Sequence, residues 1–329
     1  MGLRFPSMWA IQIDKQGGPE EMQWREVPDP TPGPGDLLVE VAAAGLNYID
    51  TYHRSGLYQV PLPYVLGLEG AGTVTAVGSD VTGYSVGDRV AWSTAAGSYA
   101  EQAVVPARGV MKVPSDISFE TAAALPLQGM TAHYLMIDAY KLAAGEKVLV
   151  HAGAGGTGLL LIQIGKIIGA EIFTTVGTEA KAELARQAGA DHVILYRDVD
   201  FVEAVEAIAG TRPLDVVYDG VGKSVFKQSL GLLRLRGMMV TFGNASGPVD
   251  PISPLELSAN GSLYLTRPTL FAYTTTPEEI QRRADDLFGW IAEGRLDVRV
   301  GAKYDLQDAA DAHRALEGRE TTGKVLLLP

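Results

Sequence analysis

The densest chemistry in this 329-residue chain lies in Lys147-Val-Leu-Val-His-Ala-Gly-Ala-Gly-Gly-Thr-Gly158. A short apolar run ends at His151, glycines follow at 153, 155, 156 and 158, and an apolar helix is predicted at once over 159–168. Glycines there let the backbone turn tightly and approach a pyrophosphate, whose charge the free amides and positive dipole end of the helix can hold. A bare glycine pattern says little. This one lies between a buried strand and a helix, with a second strand predicted over 171–176, which is the setting of a dinucleotide site. Folds that prefer NAD place an Asp or Glu at the end of that second strand, on the adenosine ribose. Here the position reads Val176-Gly-Thr-Glu-Ala-Lys181: Gly177 and Thr178 leave room, and Lys181 stands in the first turn of the next helix.

Other chemistries are disfavoured by residue type. Cysteine is absent, so disulfides, thiol nucleophiles and thiolate metal sites are out. The histidines at 53, 133, 151, 192 and 313 show no HxxxH or HxxH spacing, and a metal-free protein is expected. No Ser-His-Asp or paired-carboxylate arrangement can be assembled. Acidic residues number 39 against 27 basic ones, a formal net charge of −12, which works against binding nucleic acid or anionic lipid. No run approaches the roughly 18 apolar residues of a membrane span. The opening Met1-Gly-Leu-Arg-Phe-Pro has no signal-peptide apolar core, so a cytoplasmic protein is expected.

The elements that must position the glycine loop alternate. Helices are predicted over 159–168, 179–188, 201–209 and 225–235, with strands over 171–176, 192–196, 215–218 and 238–242. Such alternation with short links implies a doubly wound parallel sheet covered by helices on both faces. Its ligands bind at the carboxyl ends of the strands, so the loops of interest are 152–158, 177–181, 197–199, 219–222 and 243–247. The N-terminal part is rich in Gly and Pro, with short β-branched runs at 37–41, 72–77 and 88–92, and reads as an irregular, mainly antiparallel β domain. Two amphipathic helices are predicted over 277–293 and 306–317, then a strand over 324–328 that can return to the first domain. The expected division is 1–127 with 269–329 as one domain and 128–268 as the nucleotide-binding domain. No internal repeat is present.

Eight ordered segments carry a resemblance. They are Gly45-Leu-Asn-Tyr-Ile-Asp-Thr-Tyr52, Arg54-Ser-Gly-Leu-Tyr58, Gly67-Leu-Glu-Gly-Ala-Gly72, Gly87-Asp-Arg-Val90, Ala152-Gly-Ala-Gly-Gly-Thr-Gly158, Val217-Tyr-Asp-Gly-Val-Gly222, Phe242-Gly-Asn-Ala-Ser-Gly247 and Gly261-Ser-Leu-Tyr-Leu-Thr-Arg-Pro268. Together they resemble the medium-chain dehydrogenase/reductase superfamily and, within it, the zinc-independent NADPH:quinone oxidoreductases related to zeta-crystallin. The resemblance implies an α/β fold: a Rossmann doubly wound parallel sheet domain plus a GroES-like, mainly β catalytic domain. Zinc-dependent relatives place a cysteine where this chain has Asn47 and a histidine where it has Leu68, and their structural zinc lobe has no counterpart here. Without a Lewis acid to polarise an alcohol, the acceptor of hydride should already be electrophilic, as quinones and conjugated enones are.

The resemblance also implies a site. Lys181 and Tyr196 would grip the 2′-phosphate of NADPH, an ammonium and a phenol being suitable donors to that dianion, while the charge of Glu179 opposes it. Further cofactor contacts are implied at Ala154, Gly155, Gly156, Thr157 and Gly158, and at Gly177 and Thr178. Others are implied at Gly220, Val221, Phe242, Gly243 and Asn244, at Lys324, and from the far side at Arg267. Asn47, Asp50, Tyr52 and Tyr58 would lie near the nicotinamide and acceptor, with Gln128 and Thr131 from the domain junction. Tyr52, read as part of a Gly-rich β surface, is either a wall of the pocket or a proton donor to a developing phenolate, and the wall is favoured. Asp50 reads as a structural hydrogen-bond acceptor. Tyr52 and Arg267 are expected to border a cleft between the domains where the quinone lies. Segment 261–266, with apolar residues at 263 and 265, is expected to be an edge strand that pairs two copies into a homodimer. The nearest rival activity is reduction of an enone or 2-alkenal. Roles of zeta-crystallin relatives as lens protein or AU-rich RNA binder fit poorly with the acidic balance and the intact cofactor motifs.

Overall fold

The computed structural model describes residues 7–329, so the opening hexapeptide considered above lies outside the described residues. The chain divides into two units. One comprises residues 1–127, 274–288 and 298–329, and the other 128–273 and 289–297.

The first unit opens with strands β1 (Ser7–Ile13), β2 (Gln23–Pro28) and β3 (Asp36–Leu46), then helix α1 (Tyr48–Ser55). Strands β4 (Tyr64–Val65), β5 (Glu69–Val77), β6 (Arg89–Trp92), β7 (Gln102–Pro106) and β8 (Val110–Lys112) and helix α2 (Phe119–Ala124) follow. Strand β3 organises this unit. Its alternation buries Leu37, Val39 and Val41 and leaves Glu40 outside, and it pairs antiparallel with both β5 and β7. Leu37, Val39, Val74, Val90, Trp92 and Val105 fill one core, each such aliphatic burial contributing roughly 1.5–3 kcal/mol.

Tyr52 belongs to α1, not to a β surface as the glycine-rich surroundings predicted. The physical reason is local. Asn47 is the N-cap, Asp50 three residues on accepts the Asn47 N–H at 2.8 Å, and Gly56 in the left-handed region (φ 89°) closes the last turn.

The second unit carries α3 (Pro126–Tyr134), most of which lies within it, then strands β9 (Lys147–His151), β10 (Glu171–Val176), β11 (His192–Leu195), β12 (Leu214–Asp219) and β13 (Leu233–Thr241). The intervening helices are α4 (Gly156–Ile168), α5 (Glu179–Gln187), α6 (Phe201–Ala209) and α7 (Phe226–Leu232). Helix α8 (Pro254–Ala259) leads to β14 (Tyr264–Thr266). The six strands run β11-β10-β9-β12-β13-β14 and every pairing is parallel. The order in which strands are added reverses between β9 and β12, the point at which such sheets bind ligands.

Several boundaries differ from the sequence expectation, and two of them have a clear local cause. Helix α4 begins at Gly156 rather than 159, because a Cβ on Gly158 would run into the Ala152 carbonyl and only glycine lets the first turn start so close to β9. Helix α7 ends at Leu232 rather than 235. Leu233 already pairs with Leu214 of β12, and a bulge with Arg236 at φ 60° follows, so sheet pairing overrides the helix-favouring Leu-Arg-Leu-Arg run.

The chain ends with α9 (Pro277–Ala292), β15 (Val300–Asp305), α10 (Ala309–Glu317) and β16 (Lys324–Leu328). A 3₁₀ turn, Leu306–Asp308, occupies the start of the helix predicted over 306–317. Strand β16 lies antiparallel to β3, with Val325 opposite Leu46 and Leu327 opposite Ala44.

Candidate functional site

In the first unit the site is built where β3 hands the chain to α1. The Asn47 side chain is fully engaged: Nδ2 donates to Gly45 O (3.2 Å) and Glu69 Oε2 (2.7 Å), and Oδ1 accepts from Lys324 Nζ (2.9 Å). Lys324 also pairs with Glu69, whose other oxygen accepts the Leu127 N–H at 2.6 Å. Both charges are buried, and such a pair persists only when further hydrogen bonds offset its desolvation. Burial pulls the Lys324 pKa down, and Glu69 and Asp50 oppose that pull. Gly45 is required here, since a Cβ would strike the Glu69 carboxylate, the Lys324 chain and the Ala123 carbonyl.

Asp50 is wholly buried beneath this elbow. Burial raises its pKa to about 7, against the hydrogen bond from Asn47 N–H, the Tyr99 hydroxyl at 3.0 Å and the Lys324 charge. Its Oδ1 has no hydrogen-bond partner among the described residues. Behind it, His313 Nε2 approaches the Tyr99 oxygen at 3.4 Å, and Arg54 donates to His313 Nδ1 at 3.1 Å and to both Glu317 oxygens. Arginine cannot accept, so His313 Nδ1 is bare and Nε2 carries the proton. Tyr52 meets Tyr58 edge-on at 5.2 Å and lies 6.4 Å from Tyr48, an aromatic surface suited to a flat ring. Asn47, Asp50 and Lys324 therefore form one buried polar cluster, while Tyr52 and Tyr58 form an aromatic pair on and just after the same helix.

In the second unit the remaining candidates gather at the carboxyl ends of the strands. After β9, Ala152 takes φ 57°, Gly153 N–H bonds Thr175 O at 3.1 Å, and Gly155 is the N-cap of α4. Ala154 is buried behind the turn, while the amides of Gly156, Thr157 and Gly158 lie in the first turn of the helix, where no intrahelical acceptor reaches them. The Gln128 amide lies where a Cβ on Gly156 would be, and Thr131 is buried on α3.

At the end of β10, a Cβ on Gly177 would stand 2.8 Å from the Tyr196 hydroxyl and 3.2 Å from Arg197 Nε. Thr178 caps α5 by accepting the Lys181 N–H at 3.4 Å. Arg197, which lies beside Tyr196 there, is not among the contacts expected from the sequence. Glu179 pairs with Arg186 at 2.6 Å on the exposed side of α5.

After β12, Asp219 Oδ1 accepts the N–H groups of Val221 and Gly222, both at 2.8 Å. Burial raises its pKa to about 6, against those two bonds and the charge of Arg267. The Phe242 ring covers Gly220, and Gly243 packs so closely on the Gly220 backbone that position 243 has no room for a side chain. A cleft of about 300 Å³ opens beside them, lined by Thr241, Asn244, Val249, Leu265 and Arg267 among others.

Residues 156–287 match the family described as zinc-binding dehydrogenase, and residues 33–115 match the alcohol dehydrogenase GroES-like domain. A quinone oxidoreductase of Pseudomonas aeruginosa is 46% identical over 321 residues, which is 97% of this chain and 99% of that protein. The chain belongs to the quinone oxidoreductase family of medium-chain dehydrogenases/reductases. Within this family, the crystal structure of Escherichia coli quinone oxidoreductase complexed with NADPH is similar to it with a TM-score of 0.96 and 44% identity, covering 98% of this chain and 100% of that one. A 2-haloacrylate reductase of a Burkholderia species is 41% identical, over 97% of this chain and 98% of its own length.

The zinc in the family's description does not suit the donors present. Asn47 has its amide saturated, Leu68 is a buried aliphatic, and the Lys324 ammonium already sits between Asn47 and Glu69. Among the described residues, no three side chains of metal-ligating type come together. A divalent cation at Asn47 would have to displace a buried ammonium.

Proposed function

We propose that this protein is a metal-independent NADPH:quinone oxidoreductase. The observation that carries the cofactor reading is the end of β10, where Gly177 replaces a ribose-binding acid and stands against the Tyr196 hydroxyl and the Arg197 guanidinium. Lys181 in the first turn of α5 adds a third donor to the same 2′-phosphate subsite. The amides at the start of α4 receive the pyrophosphate, and the turns at Gly220, Val221, Phe242, Gly243 and Asn244, with Arg267, line the path of the rest of the dinucleotide. The NADPH-bound relative supports this reading.

NADPH supplies a hydride. The chain's own work is binding and orientation. Tyr52 and Tyr58 offer an aromatic wall to the acceptor ring, and the rigid Asn47 amide, held by Glu69 and Lys324, fixes the elbow beside it. One proton from solvent completes reduction of the quinone to hydroquinone. Steady-state turnover of a small quinone panel with NADPH and with NADH tests the proposal. Turnover that prefers NADH, or none with any quinone, overturns it.

The 2-haloacrylate reductase relative favours a second reading, in which the hydride goes to a conjugated alkene. Ratios of kcat/KM for a benzoquinone, a short enone and 2-chloroacrylate decide between the two. We further propose a homodimer formed through the second units. Strand β14 is the edge of its sheet, and Tyr264, Leu265 and the nearby Leu235 are exposed there. The reading includes a cytoplasmic location and a small-molecule partner in place of nucleic acid. Among the described residues no helix is long and apolar enough to cross a membrane.

A further inference from the structure

His151, the last residue of β9, is a buried histidine that the cofactor reading leaves without a task. Its ring is bonded at both nitrogens: Nδ1 lies 2.9 Å from Thr175 Oγ1 and Nε2 lies 2.9 Å from Ser229 Oγ. Directions follow from the neighbours. Ser229 gives its single hydroxyl proton to Val225 O at 2.8 Å, so its oxygen must accept from His151, and Nε2 carries the ring proton. Thr175 Oγ1 receives the Ala152 N–H at 3.4 Å and sends its own proton to the bare Nδ1.

One unbroken chain results, from Ala152 N–H through Thr175, His151 and Ser229 to Val225 O. It ties together the loops that follow β9 and β12. Val225 N–H in turn bonds Gly222 O at 3.1 Å, in the turn that Asp219 closes. At its other end stands Ala152, a non-glycine residue in the left-handed region whose carbonyl touches Gly158. That conformation needs outside support.

We propose that His151 is a positioning residue for the glycine loop, a neutral ring protonated on Nε2 that braces the Ala152 turn against the loop after β12. The inference rests on the cofactor reading above. The groups packed on the ring are Thr175 of β10, Ser229 of α7 and Phe201 of α6, edge-on at 5.1 Å, none of them charged. A second ring proton would face a hydroxyl already committed as a donor. Burial accordingly takes the His151 pKa down to about 3.

The test removes the hydroxyls with little change of shape, in Thr175→Val and Ser229→Ala. Each variant is titrated with NADPH and with adenosine 2′-monophosphate, which lacks the pyrophosphate. Loss of one hydrogen bond in the brace should raise the NADPH Kd roughly tenfold and leave adenosine 2′-monophosphate within about twofold. In the wild type, ¹⁵N spectra of the imidazole should show the Nε2–H tautomer unchanged from pH 8 to pH 5. NADPH affinity unchanged in both variants, equal weakening of both ligands, or a ring that titrates near its ordinary value overturns the proposal. Wild-type protein that fails to bind NADPH removes the cofactor reading as well. That result is distinct from wild-type binding that the variants leave untouched.

Discussion

Asp50 is the residue whose environment most alters its chemistry. Its carboxyl is raised from 3.8 to about 7, so between those values the folded state holds a proton that the unfolded chain has released. Stability therefore falls as pH rises through that window and levels off above it. Asp50→Asn, which cannot ionise, should be more stable relative to wild type at pH 8 than at pH 5, by on the order of 2 kcal/mol. Urea unfolding at the two pH values measures this, and a difference independent of pH would refute it. At the other constellation, Lys181→Ala should raise the KM for NADPH at least tenfold, since a charge-assisted bond contributes about 1.5–3 kcal/mol, and leave that for NADH nearly unchanged. Arg197→Ala should act in the same direction, and equal weakening of both cofactors would remove the 2′-phosphate assignment. For Tyr52, now placed on a helix and packed on Tyr58, the wall role predicts that Tyr52→Phe keeps most turnover while Tyr52→Ala loses quinone affinity. A general acid would instead lose about 10²–10⁴-fold in turnover in Tyr52→Phe.

Among the elements, β16 matters beyond its place in the sheet. Its first residue, Lys324, carries a charge into the unit's interior, where Glu69 at the start of β5 meets it. Breaking a buried pair from one side leaves a stranded charge, so Lys324→Met should lose about 3–5 kcal/mol. Removing both charges in Glu69→Gln with Lys324→Met should recover much of that loss, as measured by urea unfolding. A double variant as unstable as the sum of the singles would show that the ion pair is not the cause. The boundary of α4 carries a similar lesson. Gly158 lies inside the helix because the Ala152 carbonyl leaves no space for a methyl group.

At the scale of the whole molecule, the dimer proposal is tested at the edge strand. Leu263 is only 6% exposed and belongs to the core of its unit, so Leu263→Pro would damage the fold and reveal nothing about assembly. Tyr264, 58% exposed on the edge strand, is the better probe. Tyr264→Asp should shift light scattering at micromolar concentration from dimer toward monomer with the unfolding midpoint of the folded unit preserved. A monomeric wild type would end the proposal.

What the sequence determined by itself is what local periodicity and local stereochemistry dictate. Strand–helix alternation after residue 147 is the parallel sheet, and Gly153, Gly156 and Gly158 stand where a side chain would collide with its neighbours. The capping pattern Asn47-Tyr-Ile-Asp50 was equally local, yet the surrounding glycines masked it and Tyr52 was read as part of a β surface. Tertiary structure decided everything that depends on partners far along the chain. Lys324 finds Glu69 across 255 residues because β16 lies against β3, and His151 owes its tautomer to Thr175 and Ser229, 24 and 78 residues away. The end of α7 went the same way, since pairing with β12 outweighed the helix propensity of its leucines and arginines. Propensity acts over a few residues; desolvation and hydrogen-bond satisfaction act on whatever the fold brings together.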